Sequence, residues 1–326
     1  MEFTEELKRR SGQAEQIIRR YLPALDGPEA EIGEAMEYSL FVGGKRLRPV
    51  FMMEFYRMFG GTDEMEVCPW MAAMECIHTY SLVHDDLPAM DDDEFRRGSL
   101  TTWKKYGEAL GVLTGDALLN YAFELGGETC RKAAENAEET ARRTNEARTE
   151  VNMMHMLKAA EQSARCTRAM AILGRNAGIY GMLGGQVVDV KMEGQTMTEA
   201  ELDYVHMHKT GALLSAAMTM GAVLGGADTA EEAQIAKMGL LIGRAYQIED
   251  DVLDVTSSTQ ELGKPVHSDE RNRKCTFASL FGVEGALQKA REDTEEALGI
   301  FDQAAARHLP DPFLRELIMT LTERTK

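Results

Sequence analysis

The chain has 326 residues, of which 44% are hydrophobic, ample for a sizeable core and, on length alone, for about two domains. Its formal net charge of −18 argues against a nucleic-acid partner, whose binding rests on neutralising phosphates with Lys and Arg. It does not exclude an anionic small substrate, because a local cluster of cations sets the field in a cleft.

Helical periodicity dominates in chain order. A charged, amphipathic segment predicts a helix over 4–22, stopped at Pro23. A second is expected over 29–41, closed by Gly43-Gly44, since Gly just past a helix end is the usual stop signal. Arg48-Pro49 opens a third, running to about Phe59 and closed by Gly60-Gly61. Residues 65–86 form a long apolar helix with acidic residues at its C-terminal end. Further helices are expected over 108–126, 167–192, 198–208, 210–225, 231–255, 284–306 and 312–323. The one β-branched run, Val187-Val188-Asp189-Val190, has a Gly-rich flank that fits close helix packing equally well. The 21 methionines read as adaptable core filler.

Residues 127–166 stand apart, rich in Ala, Glu and Arg and polar nearly all round, and read as a solvated surface helix or a partly mobile lobe. The five cysteines, Cys68, Cys76, Cys130, Cys166 and Cys275, form no CxxC pair and read as free thiols of a cytoplasmic protein. The N-terminus is charged throughout. Neither a signal peptide nor a membrane anchor is expected.

Two acidic clusters organise the chain. The first is Asp85-Asp86-Leu87-Pro88-Ala89-Met90-Asp91, followed by Asp92, Asp93 and Glu94. The second is Asp250-Asp251-Val252-Leu253-Asp254. Clustered carboxylates repel and raise one another's pKa unless a cation intervenes. Oxygen-only ligands with room for water suit Mg²⁺ bridging to phosphates. Asp250, Asp251 and Asp254 meet on one helix face at spacings of three and four. Asp85 and Asp91 lie six apart, roughly 240° around a helix, and can share a site only if the helix ends between them. Pro88 supplies that break. Either cluster alone is most simply a solvated face. Their basic company, Arg96-Arg97 after the first and Lys264 and Lys274 after the second, points instead to a diphosphate.

The stretches HDDLPAMDDDEFRRGSLTTWKKYG and QIEDDVLDVTSSTQELGKPVHSDERNRKCTF resemble the two aspartate-rich regions of short-chain trans-prenyltransferases, the polyprenyl synthetase family. GGKRLRP, IHTYSLVHDD, GGQVVD and HMHKTGALL extend the resemblance over nearly the whole chain except 127–166, where the family's usual connection is shorter and the resemblance implies a polar helical insertion of about twenty residues. The family implies an all-α, single-domain isoprenoid synthase fold over 1–326, a central cavity and a homodimer. It implies Mg²⁺, as three ions with substrate bound, on Asp85, Asp86, Asp91, Asp250, Asp251 and Asp254.

The resemblance also implies the other roles. Lys45, Arg48, His78 and Arg97 would hold isopentenyl diphosphate. Arg96 and Lys209 would hold the allylic diphosphate, Lys264 and Lys274 would be two further diphosphate-binding lysines, Thr210 would lie near the reacting carbons and Gln247 would face the same cavity. Each has a plainer alternative: a basic turn for GGKRLRP, a core histidine for His78, surface ion pairs for Arg96 and Arg97, and a packing helix for GGQVVD. Lys274-Cys275-Thr276 departs from the usual Lys-Ser-Thr. Arg324 and Lys326 resemble the family's basic tail.

Product length would be set below the metals by Tyr80 and Ser81, five and four residues before Asp85. A tyrosine here resembles farnesyl synthases and implies a fifteen-carbon product. Rival readings are a geranyl or geranylgeranyl diphosphate synthase, and a non-catalytic regulatory subunit. A class I terpene cyclase would lack reason to keep the residues serving a second diphosphate.

Overall fold

The computed structural model describes residues 2–256, 275–308 and 311–322. The fold is all-α. Its helices are α1 (Phe3–Arg20), α2 (Ala30–Phe41), α3 (Leu47–Met58), α4 (Cys68–Asp85), α5 (Thr102–Tyr106), α6 (Glu108–Glu146), α7 (Glu150–Ala177), α8 (Met182–Lys191), α9 (Glu199–Val205), α10 (Ala212–Gly225), α11 (Thr229–Thr256), α12 (Phe277–Ala305) and α13 (Pro312–Thr322). A π-helical turn, His206–Gly211, joins α9 to α10. The chain groups into two compact units, Met1–Met53 with Thr62–Ala171 and Glu54–Gly61 with Ile172–Lys326.

In the first unit α4 is the central helix. It is apolar on all sides and buried at nearly every position from Cys68 to Tyr80, as such a helix must be. Its one fully buried acid, Glu75, is answered by the buried Arg46, whose Nη1 donates to Glu75 Oε1 at 2.8 Å. Arg46 Nη2 also donates to the Leu40 carbonyl at 2.6 Å, tying the end of α2 to α4. Losing either partner would strand a buried charge, at a cost of about 3–5 kcal/mol. Helix α6 comes close to α4 and α7 because glycines face them. A Cβ at Gly126 would lie 2.7 Å from Met170 Cε and 3.0 Å from Trp70 Cζ3.

The polar segment 127–166 continues α6 by five turns and then opens α7. The helix expected over 108–126 is therefore far longer than its apolar part. Ion pairs such as Arg131–Glu128 at 2.7 Å and Lys132–Glu128 at 3.3 Å support it at helical spacing. Thr144 Oγ1 donates to the Asn152 carbonyl at 3.0 Å and closes the hairpin.

In the second unit α10 is buried at every position. Helix α11 crosses it closely: a Cβ at Gly239 would lie 2.4 Å from Ser215 Cα, and one at Gly243 would lie 2.2 Å from Gly211 Cα. Arg244 forks onto both oxygens of Asp293 at 2.6 Å and reaches Asp203 at 2.8 Å. Leu202, Val205, Ile248, Val252 and Phe277 pack into one apolar cluster. The helix expected over 167–192 is broken between Ala177 and Met182. The Val187–Val190 run lies within α8 and is helical.

Candidate active site

Helix α4 ends at Asp85, with Asp86 as its cap. The chain then reverses. The Asp91 amide donates to the Asp85 carbonyl at 2.8 Å and the Asp92 amide to the Leu87 carbonyl at 3.1 Å. The break expected from Pro88 thus brings Asp91 back beside Asp85. Asp91 is exposed, Asp85 is half-buried, and Asp86 is only 3% exposed.

The next residues form a hairpin that sequence patterning did not reveal. Strands β1 (Phe95–Arg96) and β2 (Ser99–Leu100) pair antiparallel. Arg97 and Gly98, at φ 53° and 78°, make the two-residue turn. Two positive-φ positions are what a tight hairpin requires, and Gly98 is suited to one of them. The hairpin swings Arg96 onto Asp86, with Nε to Oδ1 at 2.7 Å and Nη2 to Oδ1 at 2.6 Å. Burial raises the Asp86 pKa and the guanidinium only partly offsets it. Burial also opposes the Arg96 charge, but the bond to Asp86 prevails and holds its pKa up.

Arg97 turns the other way and donates to the Gly43 carbonyl. Gly43 and Gly44, at φ 115° and 127°, are needed there, because a Cβ at Gly44 would lie 2.6 Å from Arg97 Nη1. The GGKRLRP turn and the RRG turn therefore meet. Of its cations, Arg46 is the structural one described above, while Lys45 is exposed and Arg48 half-buried. His78 records the convergence. Its pKa is driven well below the usual histidine range, first by burial and then by Arg48, Arg97, Arg46 and Arg96. A neutral imidazole among four guanidinium groups marks a pocket of positive potential beside the acidic end of α4. Ser81 Oγ donates to the His78 carbonyl at 2.9 Å. Tyr80 is 7% exposed, and burial, with Asp85 adding, pushes its phenol up to about 12.

The second cluster lies on the unbroken α11, as its spacing predicts. Asp251 and Asp254 are buried and Asp250 half-buried. Thr210 Oγ1 donates to Gln247 Oε1 at 3.0 Å, and Gln247 Nε2 donates to Asp251 Oδ1 at 3.1 Å. The chain thus runs from the π turn to the acidic cluster. Such turns re-aim side chains by inserting a residue into the helix, and they recur at functional sites. Lys209, on the same turn, pairs with Asp189 of the GGQVVD helix at 2.6 Å. A Cβ at Gly185 would lie 2.3 Å from the Lys209 amide nitrogen, so glycine lets α8 approach the turn and Asp189 then holds the ammonium.

Sequence reasoning left Asp189 undecided between packing and chemistry and missed His206. The latter is fully buried beside Asp251, with Nε2 3.5 Å from Oδ2. Burial depresses its pKa to about 3 despite the opposing influence of Asp189. Lys264 and Lys274, with Arg324 and Lys326, lie outside the described residues.

The carboxylate donors suit a hard cation. Among the described residues no three His, Cys, Asp or Glu side chains form a ready cage. Open carboxylates such as Asp85 and Asp91 fit Mg²⁺, which commonly takes few protein ligands and completes its shell with waters and substrate phosphates.

The profile of the polyprenyl synthetase family matches residues 29–310, and the chain belongs to that family. It is 39% identical over 295 residues to the farnesyl diphosphate synthase of Geobacillus stearothermophilus, covering 90% of this chain and 87% of that one. It is 36% identical over 328 residues to the farnesyl diphosphate synthase of Escherichia coli, covering 100% of both. Among solved structures, a geranyltransferase from Helicobacter pylori complexed with magnesium and isoprenyl diphosphate matches with a TM-score of 0.76 at 29% identity, over 99% of this chain and 97% of that one. The chain is a trans-prenyltransferase.

Proposed function

We propose that the chain condenses isopentenyl diphosphate head to tail with dimethylallyl and then geranyl diphosphate, releasing diphosphate and giving the fifteen-carbon farnesyl diphosphate. The observation that supports this reading is the meeting of the GGKRLRP and RRG turns, with Arg97 on the Gly43 carbonyl and Arg96 on Asp86, beside the acidic end of α4. One basic patch with one acidic cluster would serve a single diphosphate. Guanidinium groups turned both toward Asp86 and away from it serve two.

Arg97, Arg48, Lys45 and His78 hold isopentenyl diphosphate. Arg suits the task because its planar fork meets phosphate oxygens in pairs and stays charged. Arg96 and Lys209 hold the allylic diphosphate, and by the family pattern Lys264 and Lys274 are further diphosphate-binding lysines. Asp85, Asp86, Asp91, Asp250, Asp251 and Asp254 are assigned to Mg²⁺. When bound, Mg²⁺ neutralises charge building on the departing diphosphate. The allylic carbon–oxygen bond breaks with its electron pair leaving on the diphosphate. The isopentenyl double bond attacks the allylic cation, and the released diphosphate takes the proton then lost. Thr210 and Gln247 line the reacting carbons, and apolar walls keep water from the cation. Tyr80, about 7.5 Å down α4 from Asp85, floors the prenyl cavity with Ser81 beside it.

One isoprenoid synthase domain over 1–326 carries this work, supported by a family match that runs through both compact units. The protein acts as a cytoplasmic homodimer; among the described residues no helix is long and apolar enough to cross a membrane. The test is steady-state kinetics with each substrate varied in turn. Arg97→Gln and Arg48→Gln raise KM for isopentenyl diphosphate, and Arg96→Gln raises it for the allylic partner, each roughly 10- to 100-fold, the size of a lost charge-assisted bond. Unchanged values for both substrates would overturn the reading.

A further inference from the structure

We propose that His84 helps determine product length by bracing the ring of Tyr80. The proposal rests on the reading of Tyr80 as the cavity floor. Tyr80 and His84 are four residues apart on α4 and so share one helix face. Their rings meet edge to face, with centroids 5.9 Å apart and planes at 81°. This is the favoured geometry for two aromatic rings, the positive edge of one against the negative face of the other.

The brace holds because His84 is itself wedged against α6. Its Nε2 lies 3.1 Å from the Val112 carbonyl. A carbonyl only accepts, so Nε2 donates this bond. Asp116 Oδ1 stands 3.8 Å from the same nitrogen. Gly115 forms the seat: a Cβ there would lie 2.0 Å from Nε2 and 2.2 Å from Cδ2. Any other residue at 115 would push the imidazole away. The ring is therefore gripped between α6 on one side and Tyr80 on the other.

A floor residue stops chain growth only if it cannot turn aside when the growing prenyl chain presses on it. Bulk at position 80 is thus half of the device. The other half is the glycine-seated histidine one turn above. His84 touches no substrate in this account and acts through Tyr80.

The experiment reads product length rather than rate. Wild type, His84→Ala, His84→Gln, Gly115→Ala, Tyr80→Ala and the double variant His84→Ala with Tyr80→Ala are incubated with Mg²⁺, isopentenyl diphosphate and geranyl diphosphate, and products are separated by chain length. His84→Gln can still donate to Val112 but has no ring, so it separates bracing from helix docking. Thermal unfolding checks that each variant is folded. The ratio of C20 to C15 is expected to rise ~3- to 10-fold in His84→Ala, His84→Gln and Gly115→Ala, in line with the strength of one aromatic pair. Tyr80→Ala gives a larger rise, and the double variant matches it. If Tyr80→Ala lengthens the product while the His84 and Gly115 variants keep the wild-type ratio, the brace is refuted. If the double variant lengthens it further, His84 does not act through Tyr80, and the proposal also fails. If Tyr80→Ala leaves the product at C15, the floor reading falls and takes the brace with it. A wild-type protein without turnover would instead sink the enzymatic reading.

Discussion

The two acidic clusters solve the same problem with different local structure. The first ends its helix, folds Asp91 back onto Asp85, and sets a guanidinium against its inner aspartate, Asp86. The second keeps its helix, and its inner aspartate, Asp251, takes a neutral donor from Gln247 and stands beside an uncharged, buried His206. In each pair the second aspartate is buried and the first is half-buried. The common lesson is that one carboxylate of each pair is anchored by the protein while its neighbour stays more open. The difference lies in the charge of these anchoring groups. The first cluster carries its own counter-cation on a hairpin; the second is steadied by polar contacts from a π turn.

The largest effects are expected from removing carboxylates assigned to Mg²⁺. Asp85→Asn, Asp91→Asn and Asp250→Asn should each lower kcat by at least ~10²–10³-fold with little change in unfolding midpoint, since electrostatic stabilisation of the departing charge is what they supply. Equal losses at both clusters would show that the two geometries are equivalent in function.

Next comes the cation seated on the first cluster, Arg96. Arg96→Met leaves the buried Asp86 without its partner and should cost about 2–3 kcal/mol in urea unfolding, discounted because Arg96 is partly exposed. Adding Asp86→Asn should restore most of that loss. Gln247→Leu in the second cluster removes a neutral donor from Asp251 and should cost less, about 1–2 kcal/mol. If the Gln247 variant proves the more damaging of the two, the contrast in charge is wrong.

The effect that is smallest near neutral pH is in pH dependence. The folded pKa of His206 is depressed to about 3, below its unfolded value near 6.5. The unfolded chain therefore binds the extra proton first as pH falls. The stability associated with a neutral buried imidazole is present above about pH 6.5 and is lost progressively toward pH 3. His206→Phe should flatten that slope in denaturant midpoints measured across the window. An unchanged slope would show that His206 is not the group responsible.

Much of this site was legible in the sequence, and the exceptions have physical reasons. Pro88 announced the break after Asp86, and the spacing of Asp250, Asp251 and Asp254 announced a continuous helical face. The RRG hairpin was hidden because each strand is only two residues long and no β-branched run precedes it. Which cation of GGKRLRP is structural follows from Glu75, far away in sequence, and the family pattern rather than spacing separated Arg46 from Lys45 and Arg48. The length of α6 was hidden because a polar helix sustained by charge pairs lacks the apolar stripe that reveals helices. The π turn at 206–211 falls where the family's HKT pattern marks a helix break and the expected helices part, but its register has no local sequence mark. It shows in the register that lets Thr210 reach Gln247 while Lys209 reaches Asp189.

The most direct measurement is the product of the purified protein with Mg²⁺, isopentenyl diphosphate and either dimethylallyl or geranyl diphosphate, resolved by chain length. Farnesyl diphosphate from both starters is the predicted result. Geranylgeranyl diphosphate as the main product would keep the chemistry and contradict the Tyr80 floor. No turnover from folded, Mg²⁺-competent protein would contradict the account as a whole.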